Sequence, residues 1–72
     1  SGELQSLLTA VDEAGTRLVE IMRDKGLVCV VIHQTEGNDV RLICPQSLEV
    51  APLLRKAADM LSEREARIVL TR

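Results

Sequence analysis

The most constraining feature of the sequence is residues 27–34, which begin with six consecutive apolar residues, several of them β-branched. This composition predicts a β-strand. A strand with one face in water alternates apolar and polar residues, whereas a strand covered on both faces reads as a continuous apolar run. We therefore expect both faces of this strand to be covered, either by the chain itself or by another molecule.

Residues 3–25 carry the periodicity of one long amphipathic helix. Gly26 is expected to end it in a left-handed conformation. Gly15 falls within the apolar stripe, where a glycine costs about 1 kcal/mol relative to alanine, so it indicates close approach by another backbone, such as a crossing helix. The stripe comprises Leu4, Leu8, Val11, Gly15, Leu18 and Met22, widened by Leu7, Ala14 and Ile21.

The turn residues that follow the strand predict a β-hairpin with a second strand over residues 40–44. A two-residue turn centred on Gly37-Asn38 suits a type II′ hairpin, and Pro45 ends the ladder. This turn would place His33 opposite Leu42. One sheet face would then carry Cys29, Val31, His33, Leu42 and Cys44, and the other Val28, Val30, Ile32 and Ile43.

A second helix is expected to start near Val50 or Ala51, because Pro52 is best tolerated in a first turn. Residues 67–72 have strand composition and predict a short third strand. Continuation of the second helix to the end of the chain is the alternative, since no Gly or Pro separates the two segments.

This order predicts the α+β class, as a small two-layer α-β-β-α-(β) domain. Two helices would pack on a short antiparallel sheet that dimerisation completes. We expect residues 1–72 to form a single domain, with residues 1–2 left from an expression tag.

The 72 residues include no Phe, Tyr or Trp, so the core must be small and aliphatic. Chains of this size need a disulfide, a metal or a partner subunit for stability. Two cysteines and one histidine offer little for the first two, which favours association into a homodimer.

The same composition disfavours nucleic acid as a partner. There are no aromatic rings on which bases could stack, and acidic residues outnumber basic ones by 11 to 9. An alternative function, a nucleic-acid-associated regulatory module, would use the basic bias of the C-terminal third. Its contact residues would be Arg55, Lys56, Arg64, Arg67 and Arg72.

Few residues have the types needed for chemistry. Cys29, Cys44 and His33 form the only grouping of metal-ligand types. They fall short of the four ligands that zinc takes and lack a recognisable spacing, and the scattered glycines form no phosphate-binding loop. We expect no metal, no cofactor and no catalytic residues.

The sequence therefore predicts a small, non-enzymatic protein–protein interaction module such as a regulatory adaptor, an inhibitor or an accessory subunit. It would be homodimeric and cytoplasmic, would bind an unidentified protein partner and would not enter a membrane. The expected contact residues are Val28, Val30, Ile32 and Ile43. If these four pack beneath the helices instead, the face carrying Cys29, Val31 and Leu42 would be exposed.

Overall fold

A computed structural model describes residues 2–71 and contains two helices and one β-hairpin. The elements, in chain order, are α1 (Gly2–Asp24), β1 (Val31–Gln34), β2 (Val40–Ile43) and α2 (Val50–Glu63). The predicted α+β class and the α-β-β-α order are confirmed.

Helix α1 ends where the sequence predicts. Gly26 has a φ of +75°, a left-handed conformation that glycine adopts without a steric penalty. The N–H of Leu27 donates to the carbonyl oxygen of Met22 (3.0 Å), and the N–H of Gly26 donates to that of Arg23 (2.9 Å). These bonds satisfy carbonyl groups that the last turn would otherwise leave unpaired, and they turn the chain towards the hairpin.

The two strands pair antiparallel, but the predicted register is wrong by one residue. His33 lies opposite Arg41 rather than Leu42, and Val31 lies opposite Ile43. The hairpin has a three-residue loop instead of a two-residue turn, closed by the N–H of Thr35 donating to the carbonyl oxygen of Asp39 (2.8 Å). Because side chains alternate between faces, a slip of one residue inverts every side chain of one strand relative to the other.

The ladder is also shorter than the predicted strands. Residues 27–30 and Cys44 lie outside β1 and β2. In the observed register Cys29 would face Pro45, which has no N–H to donate. The apolar segment 27–30 therefore continues β1 without a ladder partner among the described residues.

Helix α1 covers one face of the hairpin, and the core lies in this contact. Gly15 and Val19 are the buried residues of α1. A Cβ atom at Gly15 would lie 2.6 Å from Cδ1 of Ile43 and 3.6 Å from Cγ2 of Val31. Gly15 thus marks a close approach, as the sequence indicates, but the neighbours are hairpin side chains rather than a crossing helix.

An ion pair fixes the same contact at its polar edge. Arg41 on β2 donates from Nε to Oδ1 of Asp12 (2.9 Å) and from Nη2 to Oδ2 (2.7 Å). Two parallel bonds set the orientation of both groups as well as their distance, so this pair orients the hairpin along α1.

Helix α2 starts at Val50, as predicted, and places Pro52 in its first turn. It ends at Glu63, and the capping residue Arg64 has a left-handed φ of 53°. The N–H groups of Arg64 and Glu65 donate to the carbonyl oxygens of Leu61 (3.3 Å) and Met60 (3.1 Å), which is the Schellman arrangement. The helix therefore stops without the glycine that commonly marks such an end.

The predicted third strand is absent as far as the structure describes the chain. Residues 66–71 form neither strand nor helix, so the alternative of a continued helix is also wrong, and Arg72 lies outside the described residues. An edge strand needs a ladder partner, but β1 and β2 pair only with each other within residues 2–71.

Only α1 packs substantially on the hairpin. The main contacts between elements join β1 with β2 and α1 with β2, and α2 has no buried residue. The expectation that both helices pack on the sheet is therefore confirmed only for α1, which contacts Ile43 and Arg41.

Candidate interaction surfaces

The hairpin face turned away from α1 is apolar and open. We call it the outer face; it carries Ile32, Gln34, Val40 and Leu42. The three apolar side chains are exposed, Ile32 by 55%. None of the four residues is charged, so this face offers a partner apolar area and no charged group to desolvate.

The register decides which predicted contact residues share this face. Ile32 lies on the outer face, but Ile43 lies on the opposite face against Gly15. The predicted grouping of Ile43 with Ile32 is therefore wrong. Val28 and Val30 are half-buried in the segment before β1. The outer face instead includes Val40 and Leu42, which alternation along β2 would have revealed had the loop length been known.

A second open apolar surface runs along α1. We call it the α1 seam, and it consists of Leu4, Leu7, Val11, Ala14, Leu18 and Ile21. Leu4 and Val11 are half-buried, and the other four are exposed. Leu7, Leu18 and Ile21 are 59%, 47% and 58% exposed. Leu18 belongs to the predicted apolar stripe but is not part of the core, where Val19 is buried at 6% exposure. The seam's regular spacing of three and four residues is visible in the sequence and could have identified it as a separate stripe.

Helix α2 leaves a third apolar patch uncovered. Leu61 is 59% exposed, and Leu53 is also exposed. At the C-terminal end of this helix an open cleft of about 320 Å³ is lined by Leu61, Arg64, Glu65, Ile68 and Leu70. Apolar residues form most of this lining, and Arg64 and Glu65 supply one charge of each sign.

Within the part of the chain that the structure describes, Cys29, Cys44 and His33 do not come together as a metal site. Cys29 and Cys44 are both free thiols, and within residues 2–71 no group of three His, Cys, Asp or Glu residues could hold a metal ion. His33 lies on the hairpin face towards α1, with Nδ1 2.8 Å from the carbonyl oxygen of Gln34. A carbonyl oxygen only accepts, so Nδ1 carries the proton in this bond.

The other ring nitrogen of His33 is closed to solvent. Nε2 is buried and has no hydrogen-bond partner among the described residues. A general base must reach the proton that it removes, and a buried Nε2 does not meet a substrate from solution. The observed register also divides the sheet face that was predicted to carry both His33 and Leu42, since these two residues lie on opposite faces of the hairpin.

The basic residues of the C-terminal third are spread over different structural contexts. Arg55 and Lys56 are exposed on α2, Arg64 caps that helix, and Arg67 donates to Glu65 through an ion pair of 3.1 Å. Arg72, the fifth predicted contact residue, lies outside the described residues. Asp59, Glu63 and Glu65 interleave with them in the sequence, which lowers the positive field that a phosphate backbone would meet.

The whole chain exposes more surface than a folded monomer of its mass. Its accessible surface is 6213 Å², whereas about 4,400 Å² is expected at 7.9 kDa. The radius of gyration is 13.8 Å, against about 11 Å for a compact domain of this length. The surplus of roughly 1,800 Å² lies within the range that a protomer buries in an obligate complex.

Neither helix has both the length and the apolar composition needed to cross a bilayer, within the residues that the structure describes. No family model, no curated protein and no solved structure matches the chain.

Proposed function

We propose that this chain is a non-enzymatic protein–protein interaction module that acts as a homodimer and presents the outer face of its hairpin to a protein partner. The observation that carries the proposal is the surface surplus of roughly 1,800 Å². Monomeric proteins rarely leave large contiguous apolar patches open, and such patches mark interaction sites. A regulatory adaptor, an inhibitor or an accessory subunit would use surfaces of this kind.

The outer face fits a protein partner by its chemistry. Ile32, Val40 and Leu42 supply aliphatic side chains from two adjacent strands. Residues 27–30 extend the same apolar segment at the end of the ladder. A partner that covered both would bury apolar area and could pair with the backbone of residues 28–30, which has no ladder partner among the described residues; such strand addition is a common mode of peptide recognition.

The test uses a dye that fluoresces on apolar protein surfaces, 8-anilinonaphthalene-1-sulfonate, with the wild type and two variants. In the free dimer the outer face is open, so the native protein should bind the dye. Ile32→Asp should reduce the fluorescence because a carboxylate replaces the most exposed apolar side chain of this face. The matched control is Gln34→Asp, which adds the same charge on the same strand and face without removing apolar area.

The proposal requires that Ile32→Asp lower the dye signal while the native molecular mass and helix content are kept. Equal dye signals from wild type and Ile32→Asp would contradict an open outer face. A drop in mass with Ile32→Asp alone would show that this face lies inside the dimer, and the partner surface would then have to be elsewhere.

A further inference from the structure

We infer that the α1 seam is where a second copy of this chain binds, so that the dimer is held by paired α1 helices. The inference rests on the proposed function in one respect, that the protein is a homodimer, and it assigns the contact to a surface separate from the hairpin. The outer face then remains free for a different partner.

The spacing of the seam is that of helices which pair along their length. Leu4, Leu7, Val11, Ala14, Leu18 and Ile21 alternate in steps of three and four, the pattern of the a and d positions in a coiled coil. Over these residues the seam extends about 26 Å along the helix axis, at 1.5 Å per residue. Val11 and Ala14 at its middle are smaller than the leucine and isoleucine residues at either end, so two helices can approach closely there.

This stripe is not the one that α1 uses within its own chain. The hairpin packs against Gly15, with Val19 buried one turn further on. At 3.6 residues per turn, the centre of the seam lies about a quarter of a turn around the helix from that contact. One helix therefore carries two adjoining apolar stripes. The hairpin covers the stripe through Gly15 and Val19, Leu4 and Val11 are half-buried, and the remaining seam residues stay exposed.

The charge distribution suits a contact between identical surfaces. In a two-fold symmetric interface each patch meets its own copy, so a charged residue near the axis would be buried close to the same charge on the other chain. None of the six seam residues is charged. Of the charged residues in the middle of α1, Asp12 is paired with Arg41 of its own hairpin, and Glu13, Arg17 and Glu20 are exposed outside the seam.

The area available also matches what a dimer needs. A stable interface of standard size buries about 800 Å² on each partner, which is less than half of the roughly 1,800 Å² surplus. A helix-to-helix contact can therefore be made while the outer face of the hairpin stays exposed. A second copy of the chain carries the same seam and the same excess of exposed surface, so it is the partner that fits this contact.

The test replaces one seam residue by a charged one and measures mass by light scattering with refractive-index detection. Leu18→Lys places an ammonium group in the seam, and the dimer should be lost, so that the mass falls from about twice 7.9 kDa to 7.9 kDa. The matched control is Thr16→Lys, which adds the same charge to an exposed position on the same helix and should remain dimeric. Leu7→Lys, at the other end of the seam, should behave as Leu18→Lys does.

Circular dichroism separates dissociation from unfolding. Leu18 and Leu7 are about half exposed or more within the protomer, so we expect both variants to keep the helical signal at concentrations where the wild type is dimeric. The inference is overturned if Leu18→Lys and Leu7→Lys remain dimers, or if Thr16→Lys dissociates equally. A wild type that is monomeric at every concentration contradicts the homodimer in the proposed function itself, whereas a dimer that survives both seam variants contradicts only the choice of surface.

Discussion

At the scale of single residues, Gly15 has the largest structural consequence. A methyl group at this position would lie 2.6 Å from Cδ1 of Ile43, which is too close for two carbon atoms. Alanine is a better helix former than glycine by about 1 kcal/mol, but overpacking a filled site costs about 1–3 kcal/mol. The atom in the way is the end of a side chain that can turn aside, so the packing cost should lie near the lower end of this range and nearly offset the gain in helix propensity.

We predict that Gly15→Ala changes the free energy of unfolding by less than about 1 kcal/mol, because these two effects nearly cancel. In an Ile43→Val background the same substitution should stabilise the protein, because valine lacks the Cδ1 atom that clashes. Urea denaturation of the four proteins of this double-mutant cycle, at one fixed protein concentration, measures the coupling. Equal effects of Gly15→Ala in both backgrounds would contradict the proposed contact.

Arg64 adopts a left-handed backbone conformation at the end of α2. A residue with a side chain is disfavoured there by about 1–2 kcal/mol, and glycine is the usual occupant of this position. We predict that Arg64→Gly raises the free energy of unfolding by up to about 1 kcal/mol, after the greater flexibility of glycine in the unfolded chain is deducted. Arg67→Gly, just beyond the helix end, is the control, and thermal unfolding followed by circular dichroism should show no gain for it.

At the scale of the elements, the helix ends that depend on neighbouring residues agree with the prediction, whereas the strand register, which depends on contacts between distant residues, does not. Gly26 and Pro52 are local signals, and they placed the end of α1 and the start of α2 correctly. The hairpin loop was wrong by one residue, because Gly37 and Asn38, both at positive φ, suit a two-residue and a three-residue loop. The capping residue that follows α2 is Arg64 rather than a glycine, so the local sequence contains no signal that predicts this helix end.

The same difference between local and distant determinants applies to the candidate surfaces. Ile32 was predicted as a contact residue from the continuous apolar run, and it lies on the open outer face. Ile43 was grouped with it only through the predicted register, and the one-residue shift moved it beneath α1. The periodicity of α1 predicts one wide apolar stripe, because the sequence does not show which part of that stripe meets the hairpin.

The Asp12–Arg41 ion pair joins α1 to β2 and permits a test of this packing. Its side chains are 36% and 53% exposed, so water weakens the attraction, and exposed pairs contribute about 0.2–1 kcal/mol. We predict that Arg41→Gln lowers the free energy of unfolding by an amount near the upper end of this range at low salt, since the pair is bidentate. The loss should shrink in high salt as the charges are screened.

Arg23→Gln is the matched control for this prediction. It removes the same charge from an exposed position in the last turn of α1, where no contact to β2 is broken. Denaturant unfolding in low and high salt compares the two variants. Equal losses from Arg23→Gln and Arg41→Gln would mean that the pair does not hold the hairpin on the helix.

At the scale of the whole molecule, the chain has a small core and a large surface. Val19 is the buried hydrophobic residue of the core, while the outer face, the α1 seam and the exposed leucines of α2 remain open. Chains of this size cover only about 60% of their unfolded surface even when compact. Stability and binding are therefore linked here, because the surfaces that need cover are also those that can hold a partner.

The most direct test of this account is the thermal unfolding of the wild type over a hundredfold range of concentration, with its mass measured under the same conditions. Only folded chains associate into the dimer, so a higher protein concentration favours the folded dimer and raises its unfolding temperature. We predict a mass of about twice 7.9 kDa and an unfolding temperature that increases across the series. A mass of 7.9 kDa with a cooperative transition at the same temperature throughout would contradict the account.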